Sequence, residues 1–379
     1  MIPYTTPLFF YCTAIILIPA IVLGIAGKSI RYYGLFASIF ILILIFGQSY
    51  EQSIYLGVFY ILSVMLIKGY YYLRKQYNNR LLIWCLVLIA VLPLIVSKTS
   101  GFFNLSLGFL GISYLTFRVV QMLLEIHDGL IKEVSIIDYT YFILFFPTIS
   151  SGPIDRYRRF SDNLISRSGK EYIDILGDGL YKLFIGLGYK FVIGYGIYNY
   201  WLKLIPSHHT FLNVINYMYA YSFYLFFDFA GYSLIAIGIS YILGIQVPEN
   251  FNKPFISRDM KDFWQRWHMS LSFWFRDFVY TRFVMTALKR KWFGNKYTAS
   301  YLGYLISFGL MGLWHGTQIF YLLYGFYQGI LLILTDYYQR KSLFYKKYRN
   351  SWPMVAISIL ITFHLICFGF LIFSGYLFN

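Results

Sequence analysis

Two histidines stand out among the side chains that could carry chemistry, because each lies in or beside an apolar stretch with few other ionisable groups. His315 occurs in Gly-Leu-Trp-His-Gly (312–316), where the small neighbours let another chain segment or a substrate approach closely. His268 occurs in Trp-Gln-Arg-Trp-His-Met-Ser (264–270). A neutral imidazole can take the proton of an attacking hydroxyl near neutral pH. Either histidine could also be a hydrogen-bonded core residue, and the two residues alone leave that alternative open.

Two further charges, Asp228 and Arg118, lie inside apolar runs. A carboxylate in such a place must be paired, hydrogen-bonded or protonated, because burying an isolated charge is costly. Asp228 could orient a histidine or tie two helices together. Arg118 has the same two interpretations.

The sequence positions of the remaining histidines indicate structural roles. His127 ends an apolar run beside Asp128, the adjacent pair His208 and His209 follows Pro-Ser in a predicted solvated loop, and His364 is expected to make a structural hydrogen bond. No His-x-x-x-His pair or carboxylate cluster predicts a metal site. The three cysteines lie far apart in apolar runs, and no Walker loop or Gly-x-Ser-x-Gly elbow supports an ATP-driven pump or a serine hydrolase.

The elements that must position these side chains are membrane helices. The 379 residues are 59% hydrophobic and only 13% charged, whereas a soluble protein has roughly a quarter of its residues charged. Lys and Arg number 32 against 16 Asp and Glu, and this excess is expected in cytoplasmic loops rather than on a nucleic-acid-binding surface.

About 20 apolar residues are needed to cross a bilayer. The predicted spans are 8–27, 32–49, 53–73, 81–98, 107–127, 139–154, 176–202, 209–244, 297–316, 319–338 and 352–375. The run 209–244 is too long for one straight crossing, so a break is expected near Gly231, and the short run 139–154 predicts a half-helix or a re-entrant loop. The sequence thus predicts an all-α polytopic membrane protein with about 11 transmembrane helices, short interfacial helices and a single domain over 1–379.

The positive charges predict the orientation of these spans. Lys28 and Arg31 join the first two spans, and Arg74, Lys75 and Arg80 join the third and fourth. Because cytoplasmic loops carry the excess of Lys and Arg, the N-terminus is predicted outside. The uncharged link after 297–316 is then also outside, which places His315 near the outer mouth of the protein.

The segment 252–296 is the most basic part of the chain and carries ten of the 32 positive residues. Within it, an apolar stripe recurs at steps of three and four, formed by Trp264, Trp267, Leu271, Trp274 and Phe278. This spacing predicts an amphipathic helix at the inner membrane interface. A plain interfacial anchor and a docking surface remain equally open interpretations. Val284 and Met285 are apolar residues among the basic ones.

At these residues the sequence resembles the membrane-bound O-acyltransferase family. The matching pieces, in chain order, are Phe-Pro (146–147) through Ser-Gly-Pro-Ile (151–154), Phe-Asp-Phe-Ala-Gly-Tyr (227–232), Asn-Phe-Asn-Lys-Pro-Phe (250–255), Phe-Trp-Gln-Arg-Trp-His-Met-Ser-Leu-Ser (263–272), Arg-Asp (276–277) and Leu-Trp-His-Gly (313–316). The first 140 residues match only as hydrophobic spans.

The resemblance implies a ring of helices around a tunnel that joins a cytoplasmic and an outer funnel. It implies His315 as the catalytic histidine and His268 as its partner, with Asp228, Trp314, Ser270 and Arg276 as substrate-lining or supporting residues. Chain length and Phe-Leu-Ile-Phe-Ser-Gly (370–375) fit the branch that D-alanylates teichoic acids. The alginate-acetylating branch follows Arg-Asp with Pro-Leu-Gly-Gly-Asn, whereas this chain reads Phe-Val-Tyr-Thr-Arg-Phe-Val-Met (278–285).

That branch implies a donor, an acceptor and a location. D-alanine would arrive as a thioester on the phosphopantetheine arm of an acidic carrier protein, with no permanently bound cofactor. The acceptor would be a hydroxyl of lipoteichoic or teichoic acid, at the cell membrane of a Gram-positive bacterium. The expected docking residues for the carrier protein are Arg282, Val284, Met285, Lys289 and Arg290.

Three alternatives remain: a transporter or flippase of a cell-wall precursor, an O-acetyltransferase acting on a polysaccharide, and a scaffold for other wall enzymes. Direct transfer and transfer through an acylated protein intermediate are also both open.

Overall fold

The computed structural model describes residues 1–77, 79–105 and 107–378, and every regular element within these ranges is helical. The α-helices in chain order are α1 (Pro7–Ile25), α2 (Arg31–Phe46), α3 (Tyr50–Arg74), α4 (Arg80–Thr99), α5 (Ile112–His127), α6 (Ile136–Ile143), α7 (Tyr157–Asp162), α8 (Gly169–Leu187), α9 (Tyr195–Tyr200), α10 (Phe211–Ile242), α11 (Met260–Trp264), α12 (Met269–Phe275), α13 (Thr281–Lys289), α14 (Lys296–His315), α15 (Ile319–Lys341), α16 (Leu343–Tyr348) and α17 (Trp352–Phe373). The remaining helical elements are 3₁₀ turns at Ser100–Phe103, Phe146–Thr148, Leu202–Leu204, Pro254–Ile256 and Tyr376–Phe378, and π-helical segments at Gly188–Gly194 and Arg276–Tyr280. The predicted all-α class is confirmed.

Six of these helices are long and apolar enough to cross a membrane: α1, α3, α4 with the turn that follows it, α10, α15 and α17. Helix α2 is apolar but has only 16 residues. Helices α5 and α6, with 16 and 8 residues, are shorter than the roughly 20 residues that a crossing needs. The chain is therefore a membrane protein with several candidate spans, and the count of about 11 crossings stays a prediction.

The chain groups into two compact units. Unit 1 comprises Met1–Leu187 and Gly231–Pro248, and unit 2 comprises Gly188–Ala230 and Glu249–Asn379. Helix α10 contributes residues to both units and is continuous over its 32 residues. The prediction of a break near Gly231 was therefore wrong.

Glycines in α10 serve packing in unit 1 rather than a break. A Cβ atom on Gly238 would lie 2.6 Å from the carbonyl oxygen of Gly179 in α8. About two turns further along α8, a Cβ atom on Gly186 would lie 2.8 Å from the carbonyl oxygen of Gly231. These backbones approach so closely that a side chain would not fit, which explains why glycine occupies these positions. The helix keeps its hydrogen-bond ladder through them.

In unit 1, Arg118 of the buried helix α5 holds the irregular segment that follows α6. Its guanidinium donates hydrogen bonds to the carbonyl oxygens of Phe142 and Thr148, both at 2.6 Å, and Gln121 donates to the carbonyl of Asp155 at 2.6 Å. The first bond satisfies a carbonyl in the last turn of α6, and the other two hold carbonyls of the segment that follows it. The run 139–154, for which a half-helix or a re-entrant loop was predicted, thus contains the end of the short helix α6 and the 3₁₀ turn. The hydrogen bonds of Arg118 agree with the interpretation that it ties two helical segments together.

In unit 2, the predicted single amphipathic helix through the apolar stripe is wrong. Helix α11 ends at Trp264, and a new helical stretch begins only at Met269. The interruption includes His268, whose φ of 42° is left-handed. All five stripe residues are nevertheless buried, each 7% exposed or less, so the stripe packs into the protein and not only against lipid.

Candidate active site

His268 and His315 line the same small cavity in unit 2, which has a volume of about 50 Å³. The other lining side chains are apolar or aromatic: Leu225, Phe229, Trp264, Trp267, Leu271, Met311, Tyr324, Phe370 and Phe373. Helices α10, α11, α12, α14, α15 and α17 and the turn before α12 supply these residues. The two histidines that the sequence singled out are thus brought together in an apolar setting, where electrostatic interactions are stronger than in water.

His315 is the last residue of α14, and a three-residue link to α15 follows it. The two helices pack closely because a Cβ atom on Gly312 would lie 2.4 Å from the carbonyl oxygen of Tyr321. The ring centroid of His315 lies 4.9 Å from that of Phe373 and 6.2 Å from that of Tyr321. The close neighbour that the small residues admit is therefore α15 of this chain.

His268 caps the start of α12 in the left-handed conformation and is 4% exposed. Its ring meets the Phe229 ring edge to face, with centroids 4.7 Å apart. Its Nε2 atom is buried and lacks a hydrogen-bond partner among the residues that the structure describes. Burial, with a smaller contribution from the charge of His315, lowers the pKa of His268 to about 3. His268 is thus a neutral imidazole at physiological pH, held in a backbone conformation that non-glycine residues rarely adopt.

Trp314 contacts both histidines. Its ring centroid lies 4.6 Å from that of His315 and 6.4 Å from that of His268. Trp314, which was expected to support the site, therefore lies next to both imidazole rings.

Ser270 and Asn250 fix the turn that carries His268. The Ser270 hydroxyl donates to Oδ1 of Asn250 at 2.6 Å, and the Met269 amide donates to the Asn250 carbonyl at 2.9 Å. Both side chains are buried. The sequence analysis proposed Ser270 but missed Asn250, and a polar residue opening the Asn-Phe-Asn-Lys-Pro-Phe piece was the available signal.

Asp228 makes an ion pair with Lys190 of the π-helical segment, with Nζ and Oδ1 2.5 Å apart. The carboxylate is 38% exposed and the lysine side chain 13% exposed. The pair joins α10 to Gly188–Gly194, which agrees with the tying interpretation of Asp228. Sequence reasoning missed Lys190.

A second cavity of about 230 Å³ adjoins the first in unit 2, because Trp264 and Met311 line both. Its polar lining includes Lys261, Ser272 and Arg276. Arg276 is exposed and pairs with Asp277, with Nε and Oδ1 2.8 Å apart. The predicted supporting residue Arg276 therefore lies in the larger cavity and does not line the histidine cavity.

Comparison with known proteins identifies the family of the chain. The sequence model of the membrane-bound O-acyltransferase family matches residues 53–375. The chain belongs to this family. The histidine cavity is thus the candidate active site of a membrane-bound O-acyltransferase.

Relatives of this O-acyltransferase include teichoic acid D-alanyltransferases and probable alginate O-acetylases. The teichoic acid D-alanyltransferase of Bacillus subtilis (strain 168) is 48% identical over 99% of this chain and 98% of its own length. That of Streptococcus thermophilus (strain ATCC BAA-250 / LMG 18311) is 38% identical over 99% of this chain and 95% of its own length. A probable alginate O-acetylase of Pseudomonas syringae pv. tomato (strain ATCC BAA-871 / DC3000) is 30% identical over 59% of this chain and 42% of its own length.

The expected docking residues of the O-acyltransferase lie on and just after α13. Met285, Lys289 and Arg290 are exposed. Val284 is half-buried, and a Cβ atom on Gly303 of α14 would lie 2.9 Å from its methyl carbon. Arg282 is also half-buried, with its guanidinium 5.8 Å from the Phe278 ring centroid. The exposed surface of α13 is thus formed by Met285 and the basic residues, while Val284 packs inward.

The other histidines take the structural positions that were predicted. His127 ends α5 and shares a hydrogen bond with the Tyr70 hydroxyl at 2.6 Å. His364 donates from Nδ1 to the carbonyl of Leu360 at 2.7 Å. His208 and His209 are exposed.

Proposed function

We propose that this enzyme transfers D-alanine from a phosphopantetheine thioester on an acidic carrier protein to hydroxyls of lipoteichoic or teichoic acid. The observation that carries the proposal is the pair His268 and His315 in one apolar cavity that adjoins a larger cavity. The names of the relatives that align over almost the whole chain supply the donor group and the acceptor.

His315 acts as the general base. An acceptor hydroxyl attacks the thioester carbonyl carbon, and the imidazole takes the hydroxyl proton as the new C–O bond forms. Collapse of the tetrahedral intermediate breaks the C–S bond, and the leaving sulfur takes the proton back from the imidazolium. The products are an ester of D-alanine and a free thiol, so no metal or redox cofactor is needed for the balance.

His268 supports this reaction as an uncharged group. Its buried Nε2, in the N–H tautomer, would donate a hydrogen bond to the carbonyl oxygen as negative charge develops there. The Asn250 and Ser270 hydrogen bonds hold the turn in the conformation that this requires.

The larger cavity takes the donor arm. Its apolar walls suit the arm's pantetheine chain, and Lys261 and Arg276 attract the arm's phosphodiester. The wall of Trp264 and Met311 would have to let the thioester pass into the histidine cavity.

The docking site for the carrier is the exposed side of α13 with Met285, Lys289 and Arg290, assisted by Arg282. An acidic partner is attracted to such a basic surface, and the attraction weakens with salt. In this proposal α13 faces the cytoplasm, the N-terminus is outside, and a ring of helices encloses the tunnel between donor and acceptor sides of a Gram-positive cell membrane.

Polysaccharide O-acetylation is the second candidate, favoured by the partial similarity to the probable alginate O-acetylase. The chemistry at His315 would be the same, so only donor and acceptor distinguish the two functions.

Reconstitution in proteoliposomes tests the proposal. We expect radiolabelled D-alanyl carrier protein to yield labelled lipoteichoic acid with the unchanged enzyme and none with His315→Ala, while His364→Ala, a matched histidine outside the cavity, transfers normally. Ester formation from an acetyl donor but not from D-alanyl carrier would favour the second candidate. Full transfer by His315→Ala would refute the assignment of the base.

A further inference from the structure

Unit 1 contains a cavity at the end of the candidate membrane span α1. A small cavity of about 30 Å³ is lined there by Gly24, Lys28, Arg31, Tyr141, Asn163 and Arg167, together with neighbouring residues of α8, the end of α10 and the loops between them. Three of its lining side chains are cationic, and none of the described residues that line it is Asp or Glu. Such a volume has room for about two oxygen atoms of a larger group whose remainder lies outside the cavity.

The guanidinium of Arg167 is fixed in place. Its Nη1 donates to the carbonyl of Gly244 and its Nη2 to Oδ1 of Asn163, both at 2.6 Å. Tyr172, which also lines the cavity, donates its hydroxyl to the carbonyl of Ile242 at 2.7 Å. This part of the wall is therefore preorganised, whereas Lys28 is an exposed side chain at the rim.

Two buried polar atoms of the lining lack protein partners. The hydroxyl of Tyr141 and the Nε atom of Arg31 are both buried without a hydrogen-bond partner in the described part of the chain. Tyr141 as a whole is 1% exposed. The Arg31 Nε–H can only donate, and the Tyr141 hydroxyl can donate. A buried polar group without a partner is costly, so an acceptor oxygen of a ligand that reached either atom would relieve that cost.

The charge around the cavity favours an anion. Arg31 pairs with Asp138 through its Nη2 at 2.5 Å, which leaves Nε for another partner. Glu171 interacts electrostatically with Arg167. Its carboxylate already accepts hydrogen bonds from the amide and the hydroxyl of Ser168, each at 2.9 Å. Lys28 has no ion pair with any residue that the structure describes.

The position favours a lipid as the source of that anion. Gly24 is in the last turn of α1 and Lys28 follows the helix by three residues, so the cavity lies where a membrane span ends. Its rim includes the apolar Ile30, Leu164 and Ile165, and Ile165 is 72% exposed. We propose that the cavity binds the headgroup phosphate of an anionic phospholipid, whose acyl chains remain in the bilayer beside α1. Basic pockets between membrane helices are suited to such headgroups.

Lipid binding can be measured without any enzymatic assay. Purified protein is titrated with phosphatidylglycerol, phosphatidylcholine or diacylglycerol, and bound lipid is counted by native mass spectrometry. We expect the unchanged protein to bind phosphatidylglycerol. Lys28→Gln should weaken this binding about fivefold, and Lys28→Gln/Arg167→Gln should weaken it further. Lys170→Gln is the matched control, because Lys170 is an exposed lysine nearby that does not line the cavity. Equal phosphatidylglycerol binding by the Lys28 and Lys170 variants would overturn the proposal.

Tyr141→Phe gives an independent test, because it removes only the hydroxyl. Phosphatidylglycerol should raise the melting temperature of the unchanged protein more than that of Tyr141→Phe. An equal rise for both proteins would overturn the proposal. So would competition by inorganic phosphate at concentrations similar to those of the lipid, since this would identify a site for soluble anions.

Discussion

His268 and His315 line one cavity and both lie against the indole of Trp314, although they come from different helical segments of unit 2. One imidazole is buried and neutral, whereas the other is half-buried and belongs to the last residue of α14, at the turn into α15. Two histidines with different environments can take different roles in one reaction, as base and as hydrogen-bond donor.

The neutral state of His268 predicts how stability depends on pH. Its pKa in the folded protein, about 3, is below the ordinary value of 6.5, so the unfolded chain binds more protons at acidic pH. The stability that the neutral ring contributes is present above pH 6.5 and is lost as pH falls toward 3, by up to about 1.4 kcal/mol per pH unit. Melting temperatures measured from pH 7.5 to 4.5 should fall more steeply for the unchanged enzyme than for His268→Gln, with His209→Gln as an exposed control. Parallel curves for all three proteins would contradict the buried neutral state.

Removing the Asn250 side-chain acceptor should disturb catalysis through His268. Asn250→Ala leaves the buried hydroxyl of Ser270 without this partner, which costs about 1–3 kcal/mol and loosens the turn that bears His268. We expect kcat to fall at least tenfold with little change in the KM for the carrier. Ser240→Ala is the control, because Ser240 is equally buried and its hydroxyl donates to the Ala236 carbonyl of its own helix, at 2.7 Å. Normal kcat in Asn250→Ala would show that the turn does not depend on this bond.

The Lys190–Asp228 pair should contribute to stability and not to chemistry. Asp228→Asn and Lys190→Gln each break the pair, so each should lower the melting temperature, and the double variant should lose less than the sum of the two. The expected coupling is about 1 kcal/mol, because the carboxylate is partly exposed. Transfer activity per folded enzyme should stay within about threefold of normal, far from the loss of 100-fold or more expected for His315→Ala. A loss in Asp228→Asn as large as that of His315→Ala would assign the carboxylate to the reaction.

Charge reversal on α13 should weaken carrier binding. The variant exchanges Arg282 and Lys289–Lys291 for Glu, which places negative charge opposite an acidic partner. The Kd for the carrier should therefore rise at least tenfold in low salt, and this effect should shrink as salt is raised. Surface plasmon resonance on nanodisc-embedded enzyme measures this. Lys346→Glu/Lys347→Glu on α16 is the control for net charge. Unchanged binding by the α13 variant would remove this surface as the docking site.

Much of the local structure could be read from composition and periodicity. The long apolar runs predicted helices α1, α3, α4, α15 and α17 within a few residues, because such runs have few other structures open to them in a bilayer. The sequence could not reveal that α10 is unbroken, because its glycines are explained only by the backbone of α8. Nor could periodicity reveal the break before Met269, because the buried stripe keeps its spacing across the turn.

The candidate site also has some features that could be predicted from the sequence and others that could not. Residue type and local spacing were enough to predict the apolar helices, the family motifs and the two histidines. Contacts in the folded chain were needed to show that His268 is buried and neutral, that Asn250 holds its turn, that Asp228 pairs with Lys190 and that Trp264 and Met311 line two cavities. These features arise from contacts between residues far apart in the chain. Burial and ion pairing depend on which residues surround a side chain after folding, and the residues next to it in the sequence do not reveal this.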